Sequence, residues 1–502
     1  MALITISRML SERTNATNLS IVSFVLLYFA WRVWMFTARP LLRLKEPKQV
    51  PYMIPFLGHA LIFFRDSNKA CRDARTSMGG TQEPLGMVIA GEQFYIINSP
   101  EDVTAFYNNK KSLSFDEYVQ DVLISMGCSA DGVEKMNKIQ PHLKKNLTHA
   151  GEDFYRSQFL PGPRFNEFWP KVYTRIEAPL TQEKLLGSGI TQHSLWHLCR
   201  AALLGPTLAS IFGDAVLETD PSIIDTMVLF DDLSWKINYK IPLPFSRDTH
   251  AAKNKMIDFF QKYADLPVEK KSDASWFARS LQEEMEHAGL SEHDIAVFNV
   301  SVSWTALSNA FKACFWLMAF LVHDTVLFNV IQDEARSAQL EDLHASEAKL
   351  EASYPHLISL YNETLRYNGS SVSIRTVVSP TQLGQFTIPA GSRIILPTRQ
   401  LHINESAFRN SHHFQADRFM DPKLAKSPGF RPFGGGVSYC PGRYLARREL
   451  VAFVVVLLSR YDIGLANPTQ STFPRLDEVK PSVGMLTPVL GDDVILLITP
   501  RS

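Results

Sequence analysis

Hydrophobic and polar positions along the chain alternate with several periods, and the helical period dominates. From Leu19 to Phe36 the residues are almost wholly apolar, broken by Arg32, over close to the roughly 20 residues a membrane-spanning helix needs. From about Leu85 to Ile97 apolar and polar positions alternate, which predicts strands, and Ser99-Pro-Glu-Asp then opens a capped helix. Phe168 to Asp265 reads as helical. Within it, Phe230 to Pro244 carries aromatics, prolines and few charges; it is expected to be a loop that touches a membrane, lines a ligand route, or simply connects buried parts. Ser291-Glu-His-Asp294 is a capping box, and no Gly or Pro follows until well past Val322, which predicts one continuous helix of roughly thirty residues crossing the domain. Inside this apolar helix Ser301, Thr305, Ser308 and Lys312 fall on one face, with Asn309 beside them. A strand-rich run follows Arg375, with Gly391 placed for a tight hairpin turn, and a last long helix is expected from Arg443 through Leu458. The pattern predicts a mainly α chain with small β-sheets.

The residues around the first apolar segment refine its meaning. Arg39, Arg43, Lys45 and Lys48 follow it, and by the positive-inside rule they hold the rest of the chain on the cytoplasmic side. A cleavable signal peptide is the alternative, but no small-residue cleavage site follows. Asn15 and Asn18 head glycosylation sequons in the short tail. Pro40, Pro47, Pro51 and Pro55 then predict a rigid linker that ends the helix.

Composition narrows the function. With 51 basic and 51 acidic residues the net charge is zero, and no basic patch interleaved with aromatics is present, so nothing points to nucleic acid. Hydrophobic content of 45% supports a large core, and 32 phenylalanines lean towards an apolar ligand. Five scattered cysteines, Cys71, Cys128, Cys199, Cys314 and Cys440, have no paired spacing, which argues against a disulfide framework or a structural zinc site.

Cys440 differs from the other four in its setting. It leaves a run of three glycines, Gly434 to Gly436, and precedes Pro441, Gly442 and a helix. A lone cysteine in a tight turn is ordinarily a small packing residue. A thiolate at a helix N-terminus, however, gains from backbone N–H groups and from the helix dipole, and is a suitable single ligand for a soft metal centre. Two further constellations accompany it. Glu363-Thr-Leu-Arg366 is by itself an ordinary ion pair across one helical turn. Together with Arg418, some fifty residues on, it could form a charge network that holds a ligand loop rigid.

These motifs resemble the cytochrome P450 family. Phe433, Gly436, Cys440 and Gly442 match that family's haem-binding loop; the basic residue usual two positions before the cysteine is replaced by Ser438. Glu363, Arg366 and Arg418 match its Glu-Arg-Arg triad in order and spacing, and Val50 to His59 is similar to the proline-rich hinge of microsomal members. The resemblance runs from the hinge to the end of the chain. It implies a P450 fold behind an N-terminal transmembrane helix: tail and anchor over 1–38, hinge over 39–60, and the haem-thiolate domain over 61–502.

It also implies haem b with Cys440 as the axial thiolate, and Arg375 as a partner of a haem propionate. With Ser438 in place of the usual basic residue, Arg375 would carry more of that duty. A basic residue on a helix between Gly132 and Thr148 would contribute to the same anchoring. The family's Trp-x-x-x-Arg form is missing there, leaving Lys144 as candidate, or as part of a solvated helix face. Ser370 to Ile374 and Pro481 to Pro488 would line the substrate cavity. Ser308 and Asn309 fall where the family has an acid–alcohol pair that relays protons; neither titrates, so water organised by them or by substrate is expected to do so. Otherwise they are polar residues that pack the helix.

The implied activity is monooxygenation of a large hydrophobic substrate, with dioxygen and with electrons from NADPH-cytochrome P450 reductase, at the endoplasmic reticulum membrane, single-pass and with a cytoplasmic catalytic domain. Asn309 in place of the usual Thr, the hinge, and Cys440-Pro-Gly-Arg are similar to the branch holding sterol 7α- and 12α-hydroxylases and prostacyclin synthase, which favours a steroid or terpenoid. An isomerase or cyclase working without reductase, and a haem sensor without turnover, are the alternatives.

Overall fold

The computed structural model describes residues 2–181, 186–187, 189–479, 481–482 and 484–501. Helix α1 (Ala2–Val33) continues through a π-helical turn, Trp34–Ala38, into a last α-turn, Arg39–Leu42. Pro40 therefore does not end the helix at the expected point. It sits in the first turn after the π segment. The apolar stretch Asn18–Leu42 is 0% buried, as a membrane span free of the domain would be. Leu195–Phe212 and Glu292–His323 are also long and apolar enough to span, but 67% of each is buried, which makes them core helices.

Six short strands form the main sheet: β1 (Lys48–Gln49), β2 (Leu85–Ile89), β3 (Glu92–Ile96), β4 (Leu113–Ser114), β5 (Val372–Val377) and β6 (Arg393–Pro397), in the order β1-β2-β3-β6-β5-β4. The expected strands at 85–97 are the β2–β3 hairpin. Gly391, at φ +80°, does turn the chain, but from the small 381–388 hairpin into β6 of the main sheet rather than within a hairpin.

Helix α2 (Pro100–Asn108) begins where Ser99 Oγ accepts the N–H of Asp102 at 3.1 Å. Next come α3 (Leu147–Phe159), α4 (Leu195–Phe212), α5 (Ile223–Leu233), α6 (Arg247–Ala264), α7 (Glu292–Leu307), α8 (Ala310–His323), α9 (Pro355–Asn368) and α10 (Arg443–Arg460). The segment expected as a loop at 230–244 is mostly helical: α5 runs into it and a further turn covers Trp235–Asn238. Tyr239 packs edge-on against Phe63 and Phe64, each at 5.4 Å, so this stretch is tied to the start of the catalytic domain, while Leu243 and Phe245 stay exposed.

The expected thirty-residue helix is two helices. Ser291 caps α7 as predicted, accepting the N–H of Asp294 at 3.1 Å. The helix then breaks at Ser308–Asn309 and resumes as α8. A short polar side chain that leaves the helix to bond elsewhere opens the ladder without any Gly or Pro. Asn309 does so: its Oδ1 accepts the N–H of Met485 at 2.8 Å and its Nδ2 donates to Ser308 Oγ at 2.9 Å. Gly484 permits this approach, since a Cβ there would lie 1.8 Å from Asn309 Oδ1.

The core is centred on α8 and α10. Leu450 to Leu458 are all fully buried, as an apolar run with no polar side requires. One carboxylate lies among them: Glu449 is buried and accepts a bond from Thr207 Oγ1 at 2.7 Å. Burial raises its pKa from 4.5 to about 7. The folded state thus holds this proton more tightly than the unfolded chain, so the protein loses stability as pH rises from about 4.5 to about 7. For this group alone the loss is about 3 kcal/mol. Glu449→Gln is expected to flatten that slope in denaturant titrations at several pH values.

Candidate functional site

The cysteine loop is shaped by two left-handed glycines, Gly434 (φ +73°) and Gly436 (φ +60°). At Gly436 a Cβ would lie 2.6 Å from the carbonyl oxygen of Tyr107, so only glycine lets the loop rest on α2. Cys440 N–H closes the loop on Phe433 O at 3.0 Å, and α10 starts three residues later. Burial pushes the Cys440 thiol up, offset in part by the N–H of Gly442, the guanidinium of Arg443 and its N–H. A thiol held this way needs a cation at sulfur to exist as thiolate, and a metal ion supplies one.

Cys440 is enclosed by protein yet keeps accessible surface, so it faces an internal space rather than bulk solvent. Thr305 shows the opposite wall. It is exposed although it lies in the last turn of α7 between buried Ser303 and Leu307. Tyr155 of α3, a phenol whose pKa burial raises, lies close enough to both Thr305 and Cys440 for each to perturb it. The sulfur and the accessible face of α7 therefore border one interior.

Arg375 lies at the edge of the cysteine loop, on β5. It is buried, and among the described residues it has no ion-pair partner. It donates from Nη1 to Ile374 O at 2.7 Å and from Nη2 to Ser438 Oγ, with Phe115 at 4.7 Å from its guanidinium carbon. A buried cation without a carboxylate is costly, and an anionic group at this edge would relieve it. Ser438, where a basic residue was expected, holds Arg375 by hydrogen bond.

Behind the loop, Glu363 and Arg366 are completely buried on α9. Arg366 forks onto Glu363 with two bonds of 2.7 Å and donates to the carbonyls of His402 and Ser411 at 2.9 and 2.7 Å. Arg418 reaches the same carboxylate at 3.1 and 3.2 Å. Through two guanidiniums, this carboxylate ties α9 to the end of the short helix Thr398–His402 and to the irregular backbone at Ser411.

The family scan matches residues 217–488, more than half of the chain, to the cytochrome P450 model. The chain belongs to the cytochrome P450 family. Similar curated proteins include the cytochrome P450 monooxygenase poxD of Penicillium oxalicum, 25% identical over 91% of this chain and 94% of that protein. Mouse cytochrome P450 7B1 is 23% identical, covering 85% of each chain. The pig 5-beta-cholestane-3-alpha,7-alpha-diol 12-alpha-hydroxylase is 23% identical over 89% of this chain and 93% of its own length. The protein is thus a P450 monooxygenase, of a family that binds haem iron through a cysteine thiolate.

The donor set fits that group: an enclosed thiol that needs a cation, an unpaired buried guanidinium, and glycines that keep the loop low. Other expected residues are placed apart. Lys144 is exposed in a turn at φ +55°, between a helix ending at Asn137 and α3, not on a helix facing this interior. Ser308 is buried and Asn309 half-buried at the helix break, bonded to each other and to the C-terminal turn. Phe433 packs against the main core and Gly442 lends its N–H to the sulfur.

The sequence reading missed Tyr155 and Asp231. Asp231 is buried on α5 and forms an ion pair with Lys312 of α8. Lys312, the one Lys, Arg, Asp or Glu in the apolar run of α8, was the available signal; Asp231, next to Asp232, is not marked out by the sequence.

Proposed function

We propose that this P450 hydroxylates a large apolar substrate, a steroid or polycyclic terpenoid, using dioxygen and electrons from NADPH-cytochrome P450 reductase. The observation that carries the reading is the pairing of the Cys440 thiol with the accessible α7 face across one enclosed interior. The similarity to the 5-beta-cholestane-3-alpha,7-alpha-diol 12-alpha-hydroxylase supports the substrate class. When bound, the haem supplies the oxygen activation that no amino-acid side chain can.

The protein's own residues then have five roles. Cys440 would hold the iron. Arg375, positioned by Ser438, would pair with a propionate. Thr305 and the half-buried residues Ser371 to Ser373 would border the substrate side. Ser308 and Asn309 hold the helix break open and orient water there, since neither carries a titratable proton. Asn18–Leu42, followed by Arg43 and Lys45, anchors the domain to the endoplasmic reticulum membrane on its cytoplasmic side.

A lipid and terpenoid panel, run with and without reductase, tests the reading. Hydroxylated product that appears only with reductase and NADPH is the expected result. Product formed from an oxygenated lipid without reductase would replace hydroxylation by rearrangement, and no turnover at all would leave a haem-binding protein.

A further inference from the structure

Lys253 lies on the inner face of α6, only 7% exposed, and among the described residues it has no hydrogen-bond or ion-pair partner. Its ammonium stands where α6 and α7 meet the end of the helix Asp116–Met126. A Cβ built on Gly127, the left-handed residue that ends this helix, would lie 3.3 Å from Lys253 Nζ. The same point is 3.8 Å from Ile257 Cδ1 and 3.9 Å from Val297 Cγ2. The polar groups nearby are already engaged. The carbonyls of Leu123 and Ile124 accept the N–H groups of Gly127 and Cys128, and Gly127 O faces His293 Nε2 at 3.1 Å. Asp294 is taken up by Ser129 and Ser291. Burial alone lowers the Lys253 pKa, with no carboxylate near enough to raise it. The negative end of the helix dipole eases the charge but leaves the three donors of the ammonium unmet. A cation buried this way is costly unless an anion comes to it.

Two helix faces lead to this ammonium. The face of α7 that is open at Thr305 continues through Ser301 to Phe298, both half-buried beside fully buried Val297 and Val300. The rise from Thr305 to Phe298 is about 10 Å, and Phe298 is the neighbour of Val297. On the helix Asp116–Met126, Val119, Val122 and Met126 recur at helical spacing, in line with Phe115 just before it. Phe115 starts this row 4.7 Å from the guanidinium carbon of Arg375, and Lys253 stands at its other end. An apolar row about 16 Å long thus runs between two buried cations without carboxylates. Arg375 fits a propionate, which leaves Lys253 for the ligand.

We propose that Lys253 is a specificity-determining residue that pairs with a carboxylate at one end of an otherwise apolar substrate. A single ammonium among Gly127, Ile257 and Val297 balances one negative charge. A phosphate would call for further donors, which these neighbours do not supply. A carboxylate held there fixes how far the apolar body reaches towards Thr305. The inference names a substrate class for the monooxygenase reading and rests on it.

The test uses full-length holoprotein in phosphatidylcholine vesicles, titrated with cholanic acid, with abietic acid and with the methyl ester of each. The esters keep the apolar body and remove the charge. Binding is read by the shift of the haem absorption band and, independently of haem, by equilibrium dialysis against protein-free vesicles. The wild type is expected to bind at least one acid about tenfold more tightly than its ester, as one hydrogen bond between charged groups allows. Lys253→Met, which fills the place with an apolar chain of similar length, is expected to bring the two affinities together without lowering the denaturation midpoint. Lys253→Gln is a second neutral variant with the same expected loss of preference. Acids that bind no more tightly than their esters in the wild type, or an acid-to-ester ratio unchanged in both variants, would overturn the proposal. A wild type without the thiolate carbon monoxide spectrum would instead defeat the underlying P450 reading, with dialysis still deciding on Lys253.

Discussion

Cys440→Ala is expected to abolish the thiolate signature of the reduced carbon monoxide complex, the red-shifted absorption band that a sulfur-ligated haem shows. Haem retention should fall by more than the roughly 10–100-fold that losing a mere supporting partner of a metal ligand costs. The fold itself should survive. The residue is small, the Cys440 N–H to Phe433 O bond is made by backbone, and the triad behind the loop is untouched. Spectra and haem content of the purified variant, with circular dichroism as the control for folding, check this. A variant that keeps the wild-type carbon monoxide spectrum would remove Cys440 from the site.

The second large effect is at the triad. Glu363→Gln strips the shared charge from Arg366 and Arg418 while leaving shape and hydrogen-bonding capacity largely in place. All three side chains are at most 5% exposed, so the two guanidiniums are left without an anion in a low-dielectric setting. Breaking a buried pair from one side costs about 3–5 kcal/mol. The expected outcome is a lower denaturation midpoint and loss of haem on standing. Arg366→Lys should be nearly as damaging, because an ammonium cannot reproduce the planar fork that grips Glu363 while also reaching the His402 and Ser411 carbonyls. Equilibrium unfolding with the carbon monoxide band as readout measures both. Wild-type stability in Glu363→Gln would mean the loop is held by its backbone contacts alone.

Much of this site was legible in the chain because it is built from local patterns. Glycines at special backbone angles, a cysteine ahead of a helix, and a Glu and Arg one turn apart are each set by neighbours in sequence. The capping residues Ser99 and Ser291 and the apolar run of α10 were readable for the same reason. Other features were not. The break at Ser308–Asn309 has no helix breaker to announce it, since it depends on Met485 offering an N–H from a segment 176 residues away. The helices at 223–233 and 235–238 were obscured by neighbouring aromatics such as Tyr239, whose partners, Phe63 and Phe64, lie elsewhere in the chain. Lys144 stood in a basic stretch that reads as one helix, yet a bridge between Gln140 and Lys145 turns the chain there.

The chain alone determined the family, the mainly helical class and the apolar N-terminal segment, because each rests on residue types at short, rigid spacings. The tertiary structure alone decided which distant groups share an environment. It placed Ser438 on Arg375, Tyr155 near both Thr305 and Cys440, and Asp231 on Lys312. Burial is a property of packing, not of sequence position, and only burial turns a common Lys–Asp pair or a lone arginine into a group that must have a partner.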